Sequence, residues 1–453
     1  MALGRRVSKS LDFVLSAKDL PPPPAHPFYQ KLNRLLEKAG FEPFVEALCQ
    51  PYYADGIGRP GIPPGIYFRM LLIGYFEGLD SQRGIAWRCS DSRSLQTFLG
   101  YLPNEATPDH SSLTKVRQRL PEVVHEQVFA FVLKMADAYG LLQGKTVGVD
   151  ATYLEANAAL KTIRRRDNGD DWKEYLRKLA AEAGIKDPSD ADLRRFDRQR
   201  KGKKVSNQDW ESPSDPDSRI AKMKDGTTHL AYKAEHVVDL ESNFVLAAEV
   251  YPADQADSAT LRDSVLSAQI NLTRAESAAV IEEAAADKGY HKAETLANCA
   301  AVGVRTYIPE QERPQPRVWT DKPEAWERAY RGNRRRVQGA RSKRLQKKRS
   351  EYVERTFAHV CETGGARRSW LRGLVHVSKR YLLQVAAHTL GVLMRKRLGI
   401  GTPRSLQGAC AACCAWIASL LGWYRAWSAV LGHTRTPSEM HTLYIHAPLE
   451  AAY

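Results

Sequence analysis

Lys145-Thr-Val-Gly-Val-Asp150 is a short β-branched run that suits a buried strand and ends on a carboxylate. The segments beyond it set the architecture. Thr228 to Asp239 alternates, placing Leu230, Tyr232, Ala234, His236 and Val238 on one face, and the turn at Glu241-Ser242-Asn243 leads back through Phe244 to Tyr251. That pattern predicts a hairpin. A helix is expected from Ser258 to about Ala268, and then Val280 to Ala286 runs into Asp287. The Ala/Glu content there favours helix locally, whereas the order of neighbouring elements requires a strand, which is the reading adopted. Val304 to Ile308 is a further short strand, stopped by Pro309. Residues 331 to 350 hold ten Lys or Arg and no acid, and they lead into a helix expected from about Ser350 to Val360 that carries Glu354.

Outward from this core, residues 1–28 read as a flexible tail ending in Pro21 to Pro24 and Pro27. From Phe28 to about Gly140 apolar residues recur at helical spacing, among them Leu32, Leu35, Leu36, Tyr67, Met70, Leu71 and Tyr75. Short helices cut by tight polar turns are compatible with a helix-turn-helix unit, so residues 29–140 are read as a helical DNA-binding region. Asp109 to Leu120 is its candidate recognition helix, capped by Asp109 or Ser111, with Lys115, Arg117 and Arg119 as a basic face; a merely solvated face is the alternative. Between Leu160 and Lys204 more than half the residues are charged, which marks a helical or flexible insertion at about residues 155–226 of a catalytic domain spanning 141–362. Residues 363–453 form a C-terminal helical region, in which Leu382 to Leu398 has a regular apolar face. Within it, Ala409 to Leu431 is long enough to span a bilayer, but its Ala, Cys and Arg425 favour a buried helix.

Length and charge narrow the function. At 453 residues the chain can bury a sizeable core, and 43% hydrophobic and 9% aromatic content exclude disorder as the main state. Lys and Arg number 67 against 52 Asp and Glu, giving +15, so a polyanion is the natural partner, with nucleic acid ahead of membrane lipid. Seven cysteines without framework spacing indicate a reducing compartment, and Asp12 interrupts the only apolar run that could resemble a secretory signal. The expected location is the cytoplasm, at the nucleoid. Cys410, Cys413 and Cys414 have no matching Cys or His pair and are read as packing. Trp210 and Trp370 are candidates for base stacking, with ordinary packing as the favoured reading.

Strand, hairpin, helix, strand, helix, strand, helix is the order of an RNase H-like α/β domain, a mixed sheet flanked by helices, here with all-α regions at both ends. Such a sheet brings distant carboxylates together, as metal-assisted phosphodiester chemistry requires: two hard cations about 3.5–4 Å apart on oxygen ligands. Asp150, Asp287 and Glu354 are the candidates. Glu351 is the rival of Glu354, one turn earlier on the same helix. The block at 331–350 flanks this centre and is well placed to bind phosphates, each neutralised phosphate adding about 0.9 to the salt slope.

The words around these acids, Val149-Asp150-Ala-Thr152, Ala286-Asp287-Lys-Gly289-Tyr290 and Tyr352-Val-Glu354-Arg355-Thr-Phe357, resemble the DDE transposases of bacterial insertion sequences. So do Arg69 to Leu72, Arg83 to Trp87, Ser111 to Lys115, Tyr232-Lys233, Arg372-Gly-Leu374 and Arg380-Tyr381. The resemblance covers roughly residues 28 to 405. It implies that Asp150 and Asp287 ligate metal, and that Glu354 ligates or positions the attacking water. The cofactor would be two Mg²⁺ ions, with Mn²⁺ able to substitute. It also implies binding of terminal inverted repeats, strand cleavage and strand transfer on double-stranded DNA, and a homodimer in a synaptic complex, with no membrane partner. Expected DNA contacts are Lys115, Arg117, Arg119, Lys233, Arg335, Arg344, Lys348, Arg349 and Arg355. Many relatives place a Tyr, an Arg and a Lys around the glutamate. Here those positions hold Lys347, Ser350 and Cys361, with Arg349 one residue from the expected Arg. A transposase-derived protein that binds DNA without reacting is the alternative, and a nuclease without strand transfer is a weaker one.

Overall fold

The computed structural model describes residues 4–5 and 26–405, apart from residues 55, 57, 59–60, 103, 201–205, 224 and 313–316. The proline run, the stretch from 409 to 431 and its cysteines lie outside the described residues.

Among the described residues seven α-helices precede the first strand: α1 (Pro27–Lys38), α2 (Phe41–Cys49), α3 (Pro64–Glu77), α4 (Gln82–Asp91), α5 (Arg93–Leu99), α6 (His110–Arg119) and α7 (Glu122–Asp137). Helix α3 is buried from Pro64 to Phe76. Its Arg69, fully buried, is neutralised by Glu42 at 2.5 Å and donates to Asn33 and to the Phe98 carbonyl, which ties α1, α2 and α5 to α3. The arginine of the Arg69 to Leu72 word is thus a packing group. Asp109 caps α6 as expected, accepting from the Ser111 amide at 2.8 Å.

The main sheet comprises β1 (Thr146–Glu155), β4 (Arg219–Lys222), β5 (Thr228–Asp239), β6 (Val245–Pro252), β7 (Glu283–Ala285) and β8 (Arg305–Tyr307); β2 (Arg164–Arg165) and β3 (Trp210–Glu211) pair separately. Strand β1 is central. It runs antiparallel to β5 on one side and parallel to β7 on the other, and β8 continues the parallel edge. The far side of β5 is shared by β4 near its start and β6 beyond. This mixed sheet with flanking helices is the RNase H-like arrangement. The expected strand before Asp287 is present but only three residues long, paired on both sides. Tertiary hydrogen bonding there overrides the helical preference of Ala and Glu.

Helices α10 (Asp257–Arg274) and α13 (Ala340–Phe357) cover opposite faces of the sheet. Register shows this. Asp150 pairs with His236 and Ala151 with Glu235, so His236 shares a face with Asp150 and Glu235 lies on the other. Thr356 of α13 bonds His236 at 2.8 Å, and Thr260 of α10 bonds Glu235 at 2.8 Å. Both faces of β5 are therefore buried, which is why residues outside the alternating apolar set are buried too.

The charged insertion is folded rather than a free arm. Helices α8 (Trp172–Glu182) and α9 (Asp190–Gln199), each opened by a capping box, enclose Leu176, Ala180 and Leu193 with Trp172 and Phe196 against them. Trp210 is buried beside Trp172, with ring centroids 5.1 Å apart, so it packs and is not available for a base. Helices α11 (Ala293–Ala301) and α12 (Glu324–Val337) precede α13, and α14 (Leu374–Leu398), buried from Val377 to Met394, packs against α7, α3 and β6. The basic block, expected to precede its helix, is itself helical: α12 and α13 carry it, and α13 begins at Ala340, ten residues before the expected start. Residues up to Gly401 form one compact unit, and Thr402 onward belong to a second. Among the described residues no helix is long and apolar enough to cross a membrane.

Candidate active site

Parallel pairing matches Gly148 of β1 with Ala285 of β7. Asp150 and Asp287 each follow that pair by two residues, so both lie at the same end of adjacent parallel strands, Asp287 just past the end of β7. Asp287 caps a short 3₁₀ turn, Lys288–Tyr290, and accepts from the Gly289 amide at 2.8 Å. Asp150 remains within β1; one oxygen accepts from the Ala151 amide and the other receives Arg349 Nη1 at 2.6 Å. The Asp150 side chain is 24% exposed and that of Arg349 is 12% exposed, so this ion pair is shielded from water.

Helix α13 approaches closely because β1 has a glycine beneath it. A Cβ on Gly148 would stand 2.7 Å from Leu240 Cδ2 and 3.1 Å from Arg349 Cγ. Gln346 donates to the carbonyls of Ala286 and Tyr307, fastening the helix to the two parallel strand ends. Val353, Thr356 and Phe357 are buried against the sheet, Phe357 stacking on His236 with centroids 4.1 Å apart. Burial holds His236 well below the ordinary histidine range, so it acts as a neutral bridge between Thr356 and the Tyr381 hydroxyl. Glu354 lies on the flank of α13, exposed, and accepts from Ser350 at 2.8 Å. At about 100° per residue Glu351 falls on the side away from the sheet, where it pairs with Arg355 at 2.6 Å. The geometry separates two acids that spacing left tied.

The expected DNA contacts divide. Arg335 and Arg344 are exposed on α12 and α13, and Lys115 is exposed on α6. Lys348 is exposed while its ammonium donates to the Leu240 carbonyl; Arg355 is exposed and paired with Glu351. Arg119 lies over the Tyr53 ring at 4.7 Å, and Arg349 holds Asp150. Two expectations are corrected. Arg117 is buried, because residues two apart on a helix point to nearly opposite sides, so Lys115, Arg117 and Arg119 do not form one basic face. Lys233 is 2% exposed and lies under α10, bonded to Asp257 at 3.2 Å and Thr260 at 2.9 Å, so it presents no charge to a phosphate. Trp370 is 46% exposed, with its ring nitrogen on Asp80 and the Arg368 guanidinium 4.9 Å from its ring.

Two acids went unremarked in the sequence. Glu235 is fully buried, accepts from Thr260 and from the Tyr290 hydroxyl at 2.9 Å, and is 3.6 Å from Lys233 Nζ. Burial raises its pKa and Lys233 opposes that shift. Asp257, at the start of α10, comes up to the Asp287 turn: its Oδ2 and Asp287 Oδ1 are each 3.0 Å from where a Gly289 Cβ would stand. The signal for Glu235 was its i, i+2 spacing from Lys233, two opposite charges on one face of a largely apolar strand; Asp257 carried no such signal.

Asp150 and Asp287 supply oxygen donors of the kind hard divalent cations take, and they lie at the same end of the adjacent parallel strands β1 and β7. Among the described residues no three His, Cys, Asp or Glu converge closely enough to enclose an ion, since Arg349 holds Asp150 and Glu354 turns to Ser350. The aspartate pair fits a cation by donor chemistry and placement, with the glutamate standing to one side.

An RNase H-like sheet with aspartates at adjacent central strand ends and a glutamate on the following helix defines the class of DDE polynucleotidyl transferases. Two family models match the chain, a transposase domain (DUF772) over residues 16–119 and a transposase DDE domain over residues 190–399. Together they cover most of the sequence, and the chain belongs to the DDE insertion-sequence transposases. No curated protein and no solved structure matches it. It is accordingly a transposase that acts on DNA, in a family that generally uses divalent metals.

Proposed function

We propose that this transposase binds the terminal inverted repeats of its own element, cuts a strand at each end and transfers the freed 3′-hydroxyl to target DNA, with Asp150, Asp287 and Glu354 as the catalytic carboxylates. The observation that supports this reading is the parallel β1–β7 pairing, whose last pair, Gly148 and Ala285, lies two residues before Asp150 and Asp287, with the helix bearing Glu354 packed against β1. Asp150 and Asp287 would hold divalent cation, Mg²⁺ or Mn²⁺ and two ions in the full site, which would supply positive charge to the phosphate and to an oxygen nucleophile. Glu354, exposed on the helix flank, has the freedom to turn toward the aspartates or to accept a proton from the attacking water or hydroxyl. Arg349 balances the charge of Asp150 and offers a guanidinium to a scissile-strand phosphate. Arg335, Arg344, Lys348 and Arg355 line the outer surfaces of α12 and α13 and bind backbone phosphates, while Lys115 and Arg119 extend the contact to the N-terminal helices. Joining two ends calls for at least a homodimer.

The test is incubation of linear DNA carrying the element's own ends with Mg²⁺ or Mn²⁺, comparing wild type and Asp287→Ala. End cleavage by wild type alone is expected. Cleavage that survives the substitution removes Asp287 from the mechanism, and specific binding without cleavage by wild type in either metal favours the DNA-binding-only protein.

A further inference from the structure

The Asp287 turn is fixed from the face of the sheet opposite Asp150. Tyr290, buried at the end of that turn, crosses the strand ends and donates its hydroxyl to Glu235 at 2.9 Å. Glu235 lies on β5 opposite Ala151, the residue next to Asp150. Lys233, two residues earlier on the same face, stands 3.6 Å from Glu235 and 3.2 Å from Asp257, which joins the N-terminal end of α10 to the same point. Thr260 closes the group, bonding both Lys233 and Glu235. All of Lys233, Glu235, Thr260 and Tyr290 are buried, and the group reaches the surface through Asp257, whose carboxylate faces Asp287 across Gly289.

A buried Lys–Glu pair is costly to form, and well-packed apolar residues in its place would serve stability as well or better. Its position is what distinguishes it. One carboxylate, Glu235, connects the strand beside Asp150 to the turn that presents Asp287, two elements joined along β1–β7 by only a short run of paired residues. We infer that Glu235, held by Lys233 and bonded to Tyr290, is a positioning residue that sets Asp287 relative to Asp150. This rests on the reading of Asp287 as a metal ligand. The buried members of the network, Lys233, Glu235, Thr260 and Tyr290, act through Asp287.

The mild perturbation is Tyr290→Phe, which keeps the ring and removes the hydroxyl, with Glu235→Gln as a second variant that keeps the shape and loses the charge. Mn²⁺ binding to the full-length protein without DNA is measured by titration calorimetry, alongside the Mn²⁺ dependence of end cleavage and a thermal melt. Support outside the catalytic set is lost at a cost of about 10- to 100-fold in metal affinity. The expected result for Tyr290→Phe is therefore weaker Mn²⁺ binding by about tenfold, cleavage that recovers to near the wild-type rate at saturating Mn²⁺, and a folded protein. Glu235→Gln should move the same two readouts further, and a failure of that variant to fold leaves Tyr290→Phe to decide. Unchanged Mn²⁺ affinity in Tyr290→Phe overturns the inference, as does a loss of cleavage that saturating metal does not restore. Asp287→Asn separates the two levels. If it abolishes Mn²⁺ binding and Tyr290→Phe does not weaken it, only the positioning role fails; if Asp287→Asn leaves Mn²⁺ binding intact, the metal-ligand reading fails and the inference with it.

Discussion

Arg349→Ala tests whether the arginine on Asp150 competes with metal. In the structure its guanidinium is 2.6 Å from the carboxylate, and the side chains are 12% and 24% exposed. A pair this shielded lies between the exposed limit of about 0–1 kcal/mol and the 3–5 kcal/mol lost when one partner of a buried pair is removed, so the substitution should cost about 1–2 kcal/mol without metal. Part of that loss is the penalty on a carboxylate left without its counter-charge. A divalent ion would supply the missing charge, so the variant should bind Mn²⁺ more tightly by about the same free energy, or about 5- to 30-fold. The assay is chemical denaturation at zero and saturating Mn²⁺, for wild type, Arg349→Ala, Asp150→Asn and the double variant. The metal-induced gain in stability should be larger in Arg349→Ala than in wild type and absent from both variants lacking the Asp150 carboxylate. The coupling between the two substitutions, measured without metal, should be of the size of the ion pair. If Arg349→Ala and wild type gain equally from Mn²⁺, Arg349 does not guard the site and the reasoning fails.

The same geometry sets two further outcomes. Glu351→Gln removes one exposed i, i+4 pair worth about 0.3–0.5 kcal/mol, and should leave end cleavage within about twofold; Glu354→Gln should abolish cleavage with no more effect on the melting temperature, and equal activity of the two variants would refute the assignment. Burial holds His125 neutral with its pKa lowered to about 4, and His388 lower still, to about 3. The unfolded chain protonates these rings near 6.5, so their contribution is complete above that pH and is lost as pH falls toward 4. Stability should drop by up to about 1.4 kcal/mol per pH unit for each ring over that window. Denaturant midpoints that stay flat between pH 7 and 5 would show that the rings are not held neutral.

Much of the fold was legible because its signals are local. The run from Lys145 to Asp150, the hairpin of β5 and β6 and the helix after it come from β-branched content, period-two alternation and turn residues. The strand before Asp287 is different. Ala and Glu favour helix, and only hydrogen bonds from β1 on one side and β8 on the other make three residues extended. The buried state of Arg117 could have been foreseen from its spacing, since Lys115, Arg117 and Arg119 cannot share a helix face. That of Lys233 could not, because nothing in the strand pattern says that α10 covers the second face of β5. The insertion illustrates the same limit: its charge reads as solvent-exposed, but Leu176, Leu193 and the paired tryptophans make a small core once α8 and α9 fold back on each other.

The order of elements, the polyanionic partner and the short words around Asp150, Asp287 and Glu354 are written in the chain alone, because period, charge and short motifs are properties of neighbouring residues. That Glu351 lies on the side of α13 away from the sheet, that Arg349 neutralises Asp150, and that a buried Lys233–Glu235 pair ties the Asp287 turn to the strand beside Asp150 emerge only when the chain is folded. These depend on register between strands and on which face a helix covers, and both are set by packing between segments far apart in the chain.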